Sequence, residues 1–97
     1  KPMVLVLYAG WCGWSKRFLN ETIMDPRIQG HWDDFVWVKI DTDQEKAYHE
    51  MYEQHGFPMT VLVSPEGEII KKLDGFKDAR ALLKELDLCL EAEHTTG

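Results

Sequence analysis

The apolar run Met3-Val4-Leu5-Val6-Leu7 gives way at Tyr8-Ala9-Gly10-Trp11-Cys12-Gly13-Trp14-Ser15-Lys16 to a segment with helical spacing. The run does not alternate with polar residues, which is the pattern of a central strand buried on both faces. Beyond it, Trp14, Phe18, Leu19 and Ile23 can share one face of a helix. Cys12 therefore falls where a strand ends and a helix begins. The unpaired N–H groups and positive dipole end of a helix N-terminus favour a thiolate over a thiol. A cysteine so placed has its pKa lowered from about 8.5, which suits it to thiol–disulfide exchange. The plainer alternative is a buried structural cysteine at an ordinary helix start; Trp11, Gly13 and the strand-to-helix context favour the reactive reading.

The rest of the chain supplies the frame. A first strand is expected over Met3 to Tyr8 and a first helix over Cys12 to Met24. Asp25-Pro26 offers an N-cap and a first-turn proline for a short helical turn. Strand 2 is expected over Phe35 to Ile40, which makes a strand–helix–strand unit with a right-handed parallel crossover. Thr42-Asp43-Gln44-Glu45 has the spacing of a capping box. The helix after it should place Ala47, Tyr48, Met51, Tyr52 and His55 on one side and end at Gly56. Met59 to Val63, the turn Ser64-Pro65-Glu66-Gly67 and Glu68 to Leu73 form an antiparallel hairpin. Asp78 caps a last helix whose Ala79, Leu82, Leu83, Leu86, Cys89 and Leu90 make an apolar stripe. Residues 1–90 read as one domain, and residues 91–97 as a frayed tail or linker.

Composition narrows the function. A chain of 97 residues, 44% hydrophobic and 29% charged, is that of one globular domain. No apolar run nears the roughly 18 residues that cross a bilayer. The net charge of −6 argues against nucleic acid or an anionic membrane as the main partner. His31, His49, His55 and His94 share no ligand spacing with Cys12 or Cys89, so no metal and no cofactor is expected. The absence of an initiator Met at Lys1 suggests a processed or excised domain.

Trp11-Cys12-Gly13-Trp14-Ser15 resembles the Trp-Cys-x-x-Cys motif of the thioredoxin superfamily, with serine in the second cysteine position. The order β-α-β-α-β-β-α matches that fold over Met3 to about Leu90. The expected architecture is α/β: a four-stranded mixed sheet of order 2-1-3-4 flanked by helices, lacking the extra N-terminal strand and helix of thioredoxin itself. In detail, Leu7-Tyr8-Ala9-Gly10-Trp11-Cys12, the Asp25-Pro26 step and Gly56-Phe57-Pro58 look most like the C-terminal domain of bacterial thiol:disulfide interchange proteins of the DsbD type. Thioredoxin-like periplasmic reductases are the nearby competitor.

The resemblance implies a thiol–disulfide oxidoreductase, acting as a protein disulfide reductase through Cys12. It implies that Phe57-Pro58 is a cis-proline step facing that cysteine, where the missing proline N–H leaves backbone free to pair with an extended substrate. Trp11, Gly13, Trp14, Phe57, Pro58, Gly75 and Phe76 would rim one apolar groove for client proteins. It further implies protein disulfide or thiol substrates, a redox partner protein, and a bacterial periplasmic or other extracytoplasmic location, with the cytoplasm as the alternative. A membrane enters only if the domain is part of a larger interchange protein.

Two positions depart from the family pattern. Ser15 can donate a hydrogen bond to a thiolate but cannot attack a mixed disulfide. It is either an engineered trap in a chain whose parent reads Trp-Cys-Gly-Trp-Cys, the favoured reading, or a natural single-thiol site that relies on an outside thiol. Val6 stands where many thioredoxins carry a buried aspartate. Lys16 and Arg17 could favour the thiolate instead, though they read more simply as solvated first-turn residues. The rival functional reading is a non-redox, chaperone-like module that holds clients in the same groove.

Overall fold

The computed structural model describes residues 1–96, with side chains described through residue 92. Four strands, β1 (Met3–Tyr8), β2 (Val36–Asp41), β3 (Met59–Val63) and β4 (Ile69–Asp74), form one sheet of order β2-β1-β3-β4. β1 runs parallel to β2 and antiparallel to β3, and β3 is antiparallel to β4. This is the mixed sheet expected, with β1 and β3 in its centre. The helices are α1 (Gly13–Arg17), which continues into a π-helical segment (Phe18–Thr22), then α2 (Pro26–Gln29), α3 (Lys46–Met51) and α4 (Ala79–Thr96).

Burial follows from strand alternation. Val4, Val6, Leu62 and Leu73 face one side of the sheet, packed with Phe18, Ile28, Phe35 and the α4 stripe of Ala79, Leu82, Leu86 and Cys89. Leu5, Leu7, Met59, Val61 and Val63 face the other side, where Tyr48 and Tyr52 pack. Each fully buried leucine is worth roughly 1.5–3 kcal/mol over an exposed one. An exposed pair such as Arg17–Glu21, with its side chains 54% and 62% accessible, contributes about 0–1 kcal/mol. The two apolar layers, not surface ion pairs, hold the fold.

Several local signals act as their chemistry requires. Asp25 caps α2 by accepting the Arg27 N–H at 2.9 Å, with Pro26 in the first turn. Asp78 accepts the Ala81 N–H at 2.8 Å at the start of α4. Gly67, at φ 91°, closes the β3–β4 turn.

Others differ. The first helix does not run as regular α-helix to Met24: the Ile23 N–H donates to Phe18 O, five residues back, at 3.0 Å. The wider turn buries Phe18 and Thr22 and leaves Leu19 and Ile23 half-buried, while Trp14 points outward at 54% exposure. The capping box at Thr42 does not form, because the Thr42 hydroxyl donates to Tyr8 O at 3.1 Å and α3 starts only at Lys46. Of its expected apolar side, Tyr48 and Tyr52 pack on the sheet but Ala47, Met51 and His55 are exposed. α3 stops well before Gly56: Glu53 turns into the left-handed region at φ 52°, and the Gln54 N–H donates to His49 O at 3.0 Å. Residues expected to fray beyond Glu91 are helical to Thr96, and Gly97 lies outside the described residues, as does the His94 side chain.

Candidate active site around Cys12

Cys12 is the N-cap of α1, with an extended backbone (φ −90°, ψ 119°). Its N–H donates to Ala9 O at 3.1 Å and its carbonyl accepts the Lys16 N–H at 3.2 Å, so the turn from β1 into α1 is closed from both sides. The thiol is free and partly accessible. Its pKa is lowered, chiefly by the Ser15 backbone N–H; partial burial opposes this, and the Ser15 hydroxyl and the Trp14 N–H add to the lowering. Both N–H groups belong to the first turn of α1, whose donors lack intrahelical partners; they lie near the sulfur without forming a capping hydrogen bond to it. Arg17 is committed elsewhere: it pairs with Glu21 at 3.1 Å and lies over the rings of Trp14 and Phe76.

Ser15 is fully buried, and its hydroxyl oxygen accepts the Ala9 N–H at 3.3 Å. Position 15 is thus an interior position directly beside the sulfur, and it holds no second thiol. Cys89 is 2% exposed within the α4 stripe of the core.

Two aromatic clusters adjoin Cys12. In the first, Trp11 is 68% exposed, donates its indole N–H to Asp43 Oδ1 at 3.3 Å and meets Phe57 edge-on at 5.2 Å. His49 stacks on Phe57 with centroids 5.8 Å apart and planes at 7°. In the second, Trp14 lies 5.3 Å from Phe76, whose other neighbour is buried Phe18 at 6.3 Å. The Thr22 hydroxyl donates to Lys77 O at 2.7 Å and so ties the helix to the loop that carries Phe76.

The Phe57–Pro58 bond is cis, and the Phe57 carbonyl accepts from the Cys12 thiol at 3.9 Å. Gly75, at φ 79°, brings its backbone close to Gly56: a Cβ on Gly56 would meet the Gly75 nitrogen at 3.9 Å. Trp11, Trp14, Phe57, Gly75 and Phe76 therefore gather near Cys12. Gly13 is exposed in the first turn of α1. Pro58 departs from the expected rim: it is fully buried and lies behind the surface, not on it. The surface itself is divided, with Phe57, His49, Asp43 and Lys46 lining one depression and Gly13, Trp14 and Arg17 another.

Asp43, His49, Gln54 and Thr22 also shape this region, and no motif in the sequence announced them as site residues; Arg17, named beside Lys16 as support for the thiolate, instead pairs with Glu21 and covers Trp14 and Phe76. Asp43 alone carried a usable signal, through its place just after a parallel strand end.

Residues 1–89 match the family model described as a thioredoxin-like domain. Among curated proteins, the chain is similar to the thiol:disulfide interchange protein DsbD of Yersinia pestis (strain Pestoides F), at 28% identity over 92 residues. That match covers 89% of this chain and 16% of the relative. DsbD of Haemophilus influenzae (strain PittEE) is 29% identical over 84 residues, covering 80% of this chain and 14% of the relative. The chain thus spans only a small part of those proteins. Among solved structures, the oxidised C-terminal domain of Neisseria meningitidis DsbD superposes with a TM-score of 0.78 at 26% identity, covering 91% of this chain and 79% of that one. A thioredoxin from Thermus thermophilus superposes with a TM-score of 0.81 at 19% identity, covering 100% of this chain and 80% of that one, a likeness of fold. With its sheet order and its residues 1–89 both matching, the chain belongs to the thioredoxin-like domain family.

Proposed function

We propose that this domain is a thiol–disulfide oxidoreductase that reduces protein disulfides through Cys12. The observation that carries the reading is a free, partly accessible thiol at a helix N-terminus whose first-turn N–H groups lower its pKa. The relatives named for thiol:disulfide interchange support the same chemistry.

The Cys12 thiolate attacks one sulfur of a client disulfide. A Cys12–client S–S bond forms, the client's own S–S bond breaks, and the departing client thiolate takes a proton from water. A second thiol must then attack the Cys12 sulfur to release the client as a thiol. Ser15 cannot supply it, so the first of these steps proceeds and the second waits for an outside dithiol. That dithiol delivers two electrons in total and ends as a disulfide.

In this reading Ser15 replaces the resolving cysteine of a Trp-Cys-Gly-Trp-Cys parent and traps the mixed disulfide. Its buried hydroxyl, hydrogen-bonded to the Ala9 N–H, favours a second reading in which serine is native and an external thiol resolves the adduct. The exposed Trp11 and Trp14 favour a third, in which clients are held without exchange. Clients would lie across Trp11, Gly13, Trp14, Phe57 and Phe76, with Gly75 and the backbone at Phe57-Pro58 facing the client chain. Residues 1–90 act as the working unit and residues 91–97 as a tail. By likeness to the interchange proteins, the domain works in the periplasm or another extracytoplasmic space, beside a membrane where it belongs to a larger interchange protein.

The test compares the present chain with Ser15→Cys in a protein disulfide reduction assay with a reductant present. The proposal expects turnover by Ser15→Cys and adduct accumulation by the present chain. Turnover of the present chain with glutathione, with no gain in Ser15→Cys, supports a native single-thiol site. Client binding without exchange by either form defeats the oxidoreductase reading.

A further inference from the structure

Gln54 follows directly after the left-handed residue Glu53, which turns it inward, and it is 5% exposed. Its side-chain Nε2 donates to Leu7 O at 3.2 Å and to Gly56 O at 2.9 Å. Both of those partners are carbonyls, so the NH2 group must face them. The amide oxygen then faces His49, whose Nδ1 lies 3.2 Å away and must carry the proton for that bond. One buried side chain thus joins three segments: the end of β1, the peptide before Phe57, and α3.

Each segment leads into the site. Leu7 lies on β1, which continues through Ala9 into Cys12. Gly56 O belongs to the same peptide plane as the Phe57 N–H. His49, whose tautomer Gln54 fixes, stacks on the Phe57 ring, and Trp11 meets that ring from another side. The Cys12 sulfur and the Phe57 carbonyl are therefore held in register by a shared amide, not by direct contact alone.

We infer that Gln54 is a positioning residue for disulfide exchange: with His49 it fixes the Phe57 backbone relative to Cys12, so that an extended client aligned on Phe57 presents its disulfide to the sulfur. This rests on the oxidoreductase reading above. It separates two reactions of the same thiol. Attack on a small alkylating agent needs only the thiolate, whereas attack on a peptide disulfide also needs the client backbone to be aligned.

The experiment uses the full chain and two variants. Gln54→Met keeps the approximate volume and removes all three hydrogen bonds. His49→Leu removes the stack from the exposed side and leaves the buried amide in place, so it serves where Gln54→Met does not fold. Thermal melting checks folding, and iodoacetamide and a disulfide-bearing peptide are the two probes. The expected result is a fall of about tenfold in the rate of mixed-disulfide formation for Gln54→Met, since a misplacement near 1 Å can cost up to 10²-fold. His49→Leu should fall in the same direction, by less, and both variants should keep iodoacetamide rates within about twofold of the parent. A folded variant with an unchanged peptide rate, or with both rates lowered together, overturns the positioning role. A parent chain that alkylates readily yet never forms the peptide disulfide overturns the oxidoreductase reading itself, and the positioning role with it.

Discussion

The Phe57 carbonyl oxygen lies 3.9 Å from the Cys12 sulfur, although the two residues are 45 positions apart in the chain. The contact joins the β1–α1 turn to the segment that opens β3, two limbs paired through the central strands β1 and β3. As a thiol, Cys12 donates to that carbonyl. As a thiolate, it has no proton to donate, and it is stabilised by the Ser15 and Trp14 N–H groups instead.

The Cys12 thiolate should therefore form below the ordinary thiol range. Its folded-state pKa is depressed, so the native chain binds fewer protons than the unfolded one between the folded and unfolded values. The resulting stability is fully present above the unfolded pKa and is lost as pH falls through the folded one. Thiolate absorbance during a pH titration should give a midpoint below about 8.5. A midpoint at or above that value would contradict the helix-terminus account.

Cys89 should behave as a core residue. At 2% exposure among Leu82, Leu86 and Ala79 it is inaccessible to reagent in the folded chain. A thiol reagent should modify Cys12 first and Cys89 only on unfolding, as followed by mass. Equal labelling of both under native conditions would show the α4 packing to be wrong.

Much of the frame was legible in the sequence because its signals are local. Alternation and its absence set β1 and β3, while Asp25 and Asp78 announced their helices through short-range hydrogen bonds. Cys12 stood out because a strand and a helix meet there. The π-helical turn at Phe18 was not legible, since it exchanges one backbone bond for another within a helical pattern. α3 was overextended for a different reason: Gly56 is a good stop signal, but Glu53 takes the left-handed turn three residues earlier. Gln54 reads as a polar residue near a helix end; Gly56 and His49 are near it in the chain, but its link to Leu7 spans 47 positions and no local pattern carries it. Pro58 was placed on the rim because its motif faces the cysteine, yet packing buries the ring.

Glu53→Gly should stabilise the fold. Glu53 sits at φ 52°, where an L side chain is strained by about 1–2 kcal/mol. Glycine relieves that strain but loses more entropy on folding, by about 0.4–1 kcal/mol. The expected net gain is roughly 0.5–1 kcal/mol in urea unfolding. A clear loss of stability would mean that the turn is held by Glu53 contacts and not merely tolerated.

Thr22→Val should cost roughly 1–3 kcal/mol, because it keeps the volume and leaves the Lys77 carbonyl without its 2.7 Å donor. The same change should loosen the Phe76 loop, which can be followed by amide exchange at residues 75–78. Unchanged stability and exchange would show that water satisfies that carbonyl equally well.

The most direct test of the central claim is the intact mass of the chain after mixing with a disulfide-bearing client protein. The present chain should carry one client through Cys12 and keep it, because the buried Ser15 beside the sulfur has no thiol to displace it. Ser15→Cys should form the same adduct transiently and release the client reduced, leaving a disulfide between positions 12 and 15. Failure of both chains to form any Cys12–client adduct, while Cys12 still alkylates, would contradict the account.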